Sequence, residues 1–159
     1  MNRLQEARDL FQDIKRRGIK PKVVTYTVLL HGRLKQAYLK MHSSPEEIKG
    51  NDATYNDSTI LRDMEEMKVS PNVDIYTVLI DGHIKIYNFE KAVRFFNEII
   101  DQGLKPDRVT YTALIWGLLN GRQKEIAIIY YDEMSSKGMT KPLLIPSGDK
   151  KFEREDNHR

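Results

Sequence analysis

The stretch "VTYTALIWG" at residues 109–117 decides the fold, because the chain contains two close copies of it. The copies are "VTYTVLLHG" at residues 24–32 and "DIYTVLIDG" at residues 74–82. A shift of 35 residues superimposes the second copy on the third and also aligns Ala92 with Ala127. Self-similarity at such a period is the signature of a repeat architecture, in which each unit is one supersecondary element.

A proline stands shortly before each copy and marks where each unit begins. Units that start two residues after these prolines begin at Val23, Val73 and Arg108. The spacings between these starts are 50 and 35 residues, so the first complete unit carries about 15 additional residues.

These additional residues lie within residues 36–56, and insertions of this kind are expected to form loops between packed elements. Part of the insertion is predicted to be a short helix, because Ser44 and Glu47 form a capping box with Pro45 at the first helical position. The repeat resumes at residues 58–67.

Each unit contains two segments with helical periodicity. Residues 89–100 carry one apolar stripe and form helix B, with Asn88 as the N-cap and Gly103 as the stop. Residues 73–85 form helix A, which is apolar on two sides and polar along one narrow stripe. That pattern is typical of a stack of helical pairs with neighbours on both flanks and one exposed groove. The polar stripe consists of Asp74, Thr77, Asp81 and Lys85.

The chain therefore divides into four repeat segments and a tail. Eight of the last eleven residues are charged, and the tail is expected to be disordered. The predicted segments are a partial repeat with helix B only at 1–22, an expanded repeat with the insertion at 23–72, a complete repeat at 73–107, a degenerate last repeat at 108–142 and the charged tail at 143–159.

The composition excludes several classes of protein. The 159 residues include no Cys, which excludes disulfides and thiolate chemistry. No apolar run approaches about 18 residues, so we expect no membrane partner. A net charge of +3 is too small to indicate nucleic-acid binding from charge alone.

No site for catalysis, cofactor or metal is predicted. The sequence lacks a phosphate-binding glycine loop and a nucleophile elbow, so an enzyme is not expected. His31 and His83 have no second ligand at metal spacing and are expected to face solvent or to be hydrogen-bonded. The recurring tyrosines, which lie on the buried flank of helix A, are predicted to be core residues: Tyr26, Tyr76 and Tyr111.

A 35-residue helical pair that opens with "VTYTALI" and closes with "GLKPD" resembles the pentatricopeptide repeat family, of the P type. The resemblance covers residue 1 to about residue 142. It implies an all-α, right-handed α-solenoid of stacked antiparallel helix pairs that binds single-stranded RNA in plant mitochondria or chloroplasts, one base per repeat. Organellar RNA-processing proteins are the further partners that it implies. No transit peptide is visible, and the chain is expected to be a fragment or a truncated member.

In that family the fifth and the last residue of a repeat select the base. The fifth residues are Thr27, Thr77 and Thr112, and the last residues of the two complete units are Asn72 and Asp107. An Asn amide offers a donor and an acceptor, as an adenine edge requires, whereas an Asp carboxylate only accepts and suits the donors of guanine. The expected order is adenine and then guanine.

Other family positions are only partly matched. The second residue packs a branched apolar side chain against the bases, which Val24 and Val109 allow and Asp74 does not. The thirteenth residue faces the phosphates as Lys, at Lys35 and Lys85.

The last unit departs furthest from the family pattern. Its thirteenth residue is Asn120, and its last position falls on Pro142 or Leu143, neither of which can read a base, so Thr112 has no partner. Trp116 could stack on a base or could pack against an adjacent unit.

Two alternatives to RNA binding stay open at this point. Stacked helix pairs also serve as protein-interaction scaffolds, and an apolar groove would favour that function. A non-autonomous gene fragment is the other alternative, since about three repeats are the minimum for a stable stack.

Overall fold

The computed structural model describes residues 3–43 and 57–140, and all regular structure within these two ranges is helical. The predicted helix at Ser44 to Glu47, the last position of the final unit and the charged tail lie outside the described residues. The helices are α1 (Arg3–Arg16), α2 (Val23–Ser43), α3 (Asp57–Glu66), α4 (Val73–Lys85), α5 (Phe89–Asp101), α6 (Arg108–Asn120) and α7 (Lys124–Ser136).

Helices α2, α4 and α6 correspond to helix A, and α1, α3, α5 and α7 correspond to helix B. The predicted stack of paired helices is confirmed, and the architecture is an all-α helical-repeat solenoid. The A helices begin at Val23, Val73 and Arg108, the residues at which the predicted units start. We therefore propose the same division into repeats.

The A helices pack side by side, with α4 between α2 and α6. A glycine at the tenth position of each unit permits this close approach. A Cβ atom added at Gly82 would lie 2.4 Å from Leu34 Cδ1, and one added at Gly117 would lie 2.2 Å from Ile84 Cγ2. Both neighbours occupy the twelfth position of the preceding A helix, so the same contact fixes the register of each junction.

A buried tyrosine connects helix A to helix B within each of the three units that contain both helices. These tyrosines are at most 2% exposed, which confirms the prediction that they are core residues. Burial and the nearby charge of Glu98 raise the pKa of Tyr76 to about 12. The hydroxyl groups donate to Asp63 Oδ2 from Tyr26 at 2.9 Å, to Glu98 Oε1 from Tyr76 at 3.1 Å and to Glu133 Oε1 from Tyr111 at 2.7 Å.

The described part of the insertion is helical, which corrects the prediction of a loop. Helix α2 has 21 residues, against 13 in α4 and in α6. The two shorter helices are followed by non-glycine residues with positive φ, 59° at Tyr87 and 61° at Arg122, which turn the chain into helix B. In the first unit the corresponding residue is the buried Ala37, and the helix continues to Ser43.

Candidate nucleic-acid interface

One line of side chains on each A helix faces away from the core. It comprises the second, fifth, ninth and thirteenth residues of each unit, a spacing that places them on one side of a helix. All of these side chains are exposed or half-buried, and we name them the reader face. Its members are Val24, Thr27, His31 and Lys35 on α2, Asp74, Thr77, Asp81 and Lys85 on α4, and Val109, Thr112, Trp116 and Asn120 on α6.

Two valines of the reader face are unusually exposed. Val24 is 71% exposed and Val109 is 65% exposed, although each lies in the first turn of a helix. Asp74 occupies the same position on α4 and is also exposed. The reader face therefore presents apolar side chains beside the threonines at two of its three second positions.

The predicted last residues of the units are the N-caps of the A helices. Asn72 Oδ1 accepts a hydrogen bond from the backbone N–H of Ile75 at 3.1 Å, and Asn72 Nδ2 donates to Asp74 Oδ2 at 3.2 Å. Asp107 Oδ1 accepts from the backbone N–H of Thr110 at 2.8 Å. Capping satisfies a backbone donor of the first turn, and it also holds each side chain at the start of its helix.

The structure brings Thr77 and Asp107 together through a third residue. Thr77 Oγ1 lies 2.8 Å from Thr110 Oγ1, and Thr110 Oγ1 lies 2.8 Å from Asp107 Oδ1. Thr110 is completely buried, whereas Thr77 is half-buried and Asp107 is exposed. The fifth residue of one unit and the residue before the next unit thus lie side by side at the α4/α6 junction.

At the other predicted positions the threonines bond within their own helices. Thr27 Oγ1 donates to the carbonyl oxygen of Val23 at 3.0 Å, and Thr112 Oγ1 donates to that of Arg108 at 2.6 Å. Thr27 and Asn72 share no hydrogen bond in the described part of the chain, although α2 and α4 pack side by side. Because each proton is used internally, these hydroxyl groups offer only acceptors to a ligand.

The remaining members of the reader face differ in their surroundings. Lys35 and His31 are exposed, and Trp116 is half-buried. Lys85 is exposed but pairs with Asp81 one turn earlier, with Nζ and Oδ2 2.5 Å apart. The predicted phosphate-facing lysines are therefore both at the surface, and one of them carries its own counter-ion.

His83 is hydrogen-bonded and buried, which is one of the two states expected for it. It is 1% exposed, and its Nε2 lies 2.6 Å from Asp57 Oδ2. Lys91 Nζ donates to the same Asp57 oxygen at 3.1 Å, and the ring of Phe95 stacks on His83. Within residues 3–43 and 57–140 no group of three or more His, Cys, Asp or Glu residues could hold a metal ion.

The comparisons with known proteins agree with the repeat pattern. The model of the PPR repeat family matches residues 1–35 and 71–120, and the model of the PPR repeat matches residues 109–139. The chain belongs to the pentatricopeptide repeat family. A chloroplastic pentatricopeptide repeat-containing protein of Arabidopsis thaliana is 30% identical over 143 residues, which are 89% of this chain and 16% of that protein.

Solved structures of the pentatricopeptide repeat protein PPR10 share the fold. The structure of PPR10 in complex with an 18-nucleotide psaJ RNA element matches with a TM-score of 0.67 at 24% identity. A structure of PPR10 from maize matches with a TM-score of 0.59 at 25% identity. Each match covers 89% of this chain and 18% of PPR10, so the chain spans less than a fifth of the length of these relatives.

Two sets of side-chain contacts in this pentatricopeptide repeat chain are not predicted by the sequence analysis. The bonds of Thr110 depend on the register between α4 and α6, but the recurrence of Thr at the third position of two units was a visible signal. The contact of Asp57 with His83 and Lys91 joins three helices, and no spacing in the sequence indicates it. No helix in the described ranges is long and apolar enough to cross a membrane.

Proposed function

We propose that the chain binds single-stranded RNA along the reader face, with one base held at each junction between consecutive A helices. The observation that carries this proposal is the adjacency of Thr77 and Asp107, two polar side chains at the surface of one junction. The exposed Val24 and Val109 support it, because apolar side chains beside polar readers suit the face and the edge of a base. The complex of PPR10 with RNA supports it by similarity of fold.

The two junctions differ in the chemistry that they offer. At the α4/α6 junction Asp107 and Thr77 both supply acceptors, which match the neighbouring N1–H and amino donors of guanine. At the α2/α4 junction Asn72 supplies a donor and an acceptor, and Thr27 supplies an acceptor, which match the edge of adenine. The proposed sequence is adenine followed by guanine, in the 5′ to 3′ direction from α2 to α6.

The proposed role is binding, with chemistry left to other proteins. We propose that the chain acts in organellar RNA metabolism, in the mitochondrion or the chloroplast, and the chloroplastic relative supports an organellar location. Organellar RNA-processing proteins are the proposed further partners.

An exchange of the two capping residues tests the base assignment. The double variant Asn72→Asp, Asp107→Asn should prefer guanine and then adenine. The first junction then has only the acceptors of Asp, and the second junction has the donor and the acceptor of Asn. Asn and Asp are equally good N-caps, so the helices should keep their first turns. Fluorescence anisotropy at low salt would compare short uridine-rich RNAs that contain AG, GA, AA or GG.

Asn88→Asp is the matched control, because Asn88 caps the B helix α5 in the same way and is not one of the capping residues of the A helices. This variant should keep the wild-type order of RNA affinities. Equal affinity of the wild-type chain for all four RNAs would contradict the base assignment, and no binding to any of them would contradict the proposed function.

A further inference from the structure

The hydroxyl group of Thr110 lies between the two proposed readers of the α4/α6 junction. It is the third residue of its unit, is completely buried and lies 2.8 Å from both Thr77 Oγ1 and Asp107 Oδ1. A buried hydroxyl group with two partners has a fixed orientation. Thr110 therefore connects the fifth residue of one unit to the residue that precedes the next unit.

The direction of these hydrogen bonds follows from counting protons. Each hydroxyl group has one proton, and Thr77 Oγ1 also lies 2.8 Å from the carbonyl oxygen of Val73. Two hydroxyl protons therefore serve three contacts of 2.8 Å: Thr77 with Val73, Thr77 with Thr110, and Thr110 with Asp107. A carboxylate is the strongest acceptor in the group, so Thr110 donates to Asp107. Thr77 shares its one proton between the carbonyl oxygen of Val73 and Thr110 Oγ1.

We propose that Thr110 is a positioning residue that makes this junction selective for a base edge with two adjacent donors, as in guanine. Thr77 shares its proton with Thr110, which itself donates to Asp107, and this linkage polarises the Thr77 oxygen and strengthens it as an acceptor. The same chain gives Asp107 Oδ1 a second anchor besides its capping bond. This inference rests on the proposed function and adds a residue that does not itself contact the base.

The α2/α4 junction provides an internal comparison. Its third position is Ile75, which has no hydroxyl group and is completely buried. Thr27 donates to the carbonyl oxygen of Val23, and Asn72 is held by Ile75 N–H and Asp74. A change at Thr110 should consequently alter selectivity at the second base and leave selectivity at the first base unchanged.

The test uses Thr110→Val and Thr110→Ser in the 159-residue chain. Valine has the shape of threonine without the hydroxyl group, and serine keeps the hydroxyl group. The ratio of affinities for RNAs with guanine or adenine at the second base should fall about threefold to tenfold in Thr110→Val. Thr110→Ser should keep the wild-type ratio, and both variants should keep the preference at the first base.

Thr25→Val is the matched control, since Thr25 is the third residue of the first unit and precedes the pair under test. Thr25→Val should keep the wild-type affinity ratio for guanine over adenine at the second base and the wild-type preference at the first base. A wild-type ratio in Thr110→Val would overturn the role of Thr110 and leave the proposed function intact. An equal loss of affinity for every RNA in Thr110→Val would show a structural role only and would also overturn the inference. A wild-type chain that binds RNA without preference at the second base would overturn the inference and the base assignment at this junction, whereas a chain that binds none of the RNAs would overturn the proposed function.

Discussion

Lys85 shares the reader face with Asp81, which precedes it by one helical turn and holds its ammonium group. An exposed ion pair of this kind contributes little to stability. It does reduce the positive charge available to a phosphate, because the carboxylate neutralises the lysine at the place where a nucleic-acid backbone would pass. The pair therefore matters more for binding than for folding.

Asp81→Asn should raise the affinity for single-stranded RNA about twofold to fivefold at low salt, because the substitution frees Lys85. The logarithm of the affinity should also fall more steeply with the logarithm of the salt concentration, by about 0.7 for one additional phosphate contact. Anisotropy titrations over a range of salt concentrations measure both quantities. Asp13→Asn, which removes the partner of Arg17 on α1, makes the same change of charge on a B helix and should change neither quantity. An unchanged salt dependence in Asp81→Asn would show that Lys85 does not contact phosphate.

The importance of single residues could be predicted from the sequence to different degrees. Thr77 and Asp107 could be chosen from their recurring positions, and the structure places them side by side. The assignment of base-reading roles to them stays a prediction. The role of Thr110 does not follow from the sequence, because it arises from a contact between two helices whose register is set by Ile84 against Gly117.

At the scale of elements, Asp57 joins the expanded unit to the next one. It begins α3 and contacts His83 on α4 and Lys91 on α5, while its own side chain is 7% exposed. Asp57→Ala should lower the free energy of unfolding by about 2 to 4 kcal/mol, because two cationic or polar partners lose their acceptor in a buried site. Urea unfolding measures this loss. Ser58→Ala, an exposed change in the same turn, is the control, and an equal effect of both variants would contradict the interpretation.

The same contact makes stability depend on pH. Burial alone would raise the pKa of Asp57, but the hydrogen bond from His83 and the charges of His83 and Lys91 lower it below its usual range. The folded pKa is thus lower than the unfolded value of about 3.9. The stabilisation is complete above that value and is lost as the pH falls through the folded pKa. The difference in unfolding free energy between the wild-type chain and Asp57→Asn should shrink on acidification, and a constant difference would contradict this prediction.

The start of a helix could be predicted from the sequence where a proline and a capping residue lie close to it. The starts of α4 and α6 follow from a proline and a capping residue, which act within one turn. The length of α2 did not follow, because no capping residue or turn signal interrupts the segment after Lys35 and the helix simply continues. The predicted size of the insertion, about 15 residues, agrees with the structure. Tyr26 and Asp63 are 37 residues apart and Tyr76 and Glu98 are 22 residues apart, yet both pairs are hydrogen-bonded.

At the scale of the whole molecule, each unit of a stack is stabilised by the neighbours on its two sides. The α4–α5 pair has neighbours on both sides, whereas in the described residues the α6–α7 pair has a helical neighbour on one side. This difference in neighbours changes the burial of side chains at equivalent repeat positions. Phe96 on α5 is completely buried and contacts the rings of Tyr111 and Tyr130, while Tyr131, 35 residues later on α7, is 47% exposed.

A comparison of Phe96→Ala with Tyr131→Ala therefore measures how much the following unit contributes to the free energy of unfolding at this repeat position. Phe96→Ala should cost about 3 to 5 kcal/mol, since it removes a buried ring between two other rings. Tyr131→Ala should cost about 1 kcal/mol or less, because its ring is half-exposed and no helical pair of the described residues packs against it from the following side. Urea unfolding of the two variants at equal protein concentration gives both values. Equal losses would mean that another segment or a second copy of the chain covers α7 in solution, and a concentration-dependent unfolding midpoint would then identify the second copy.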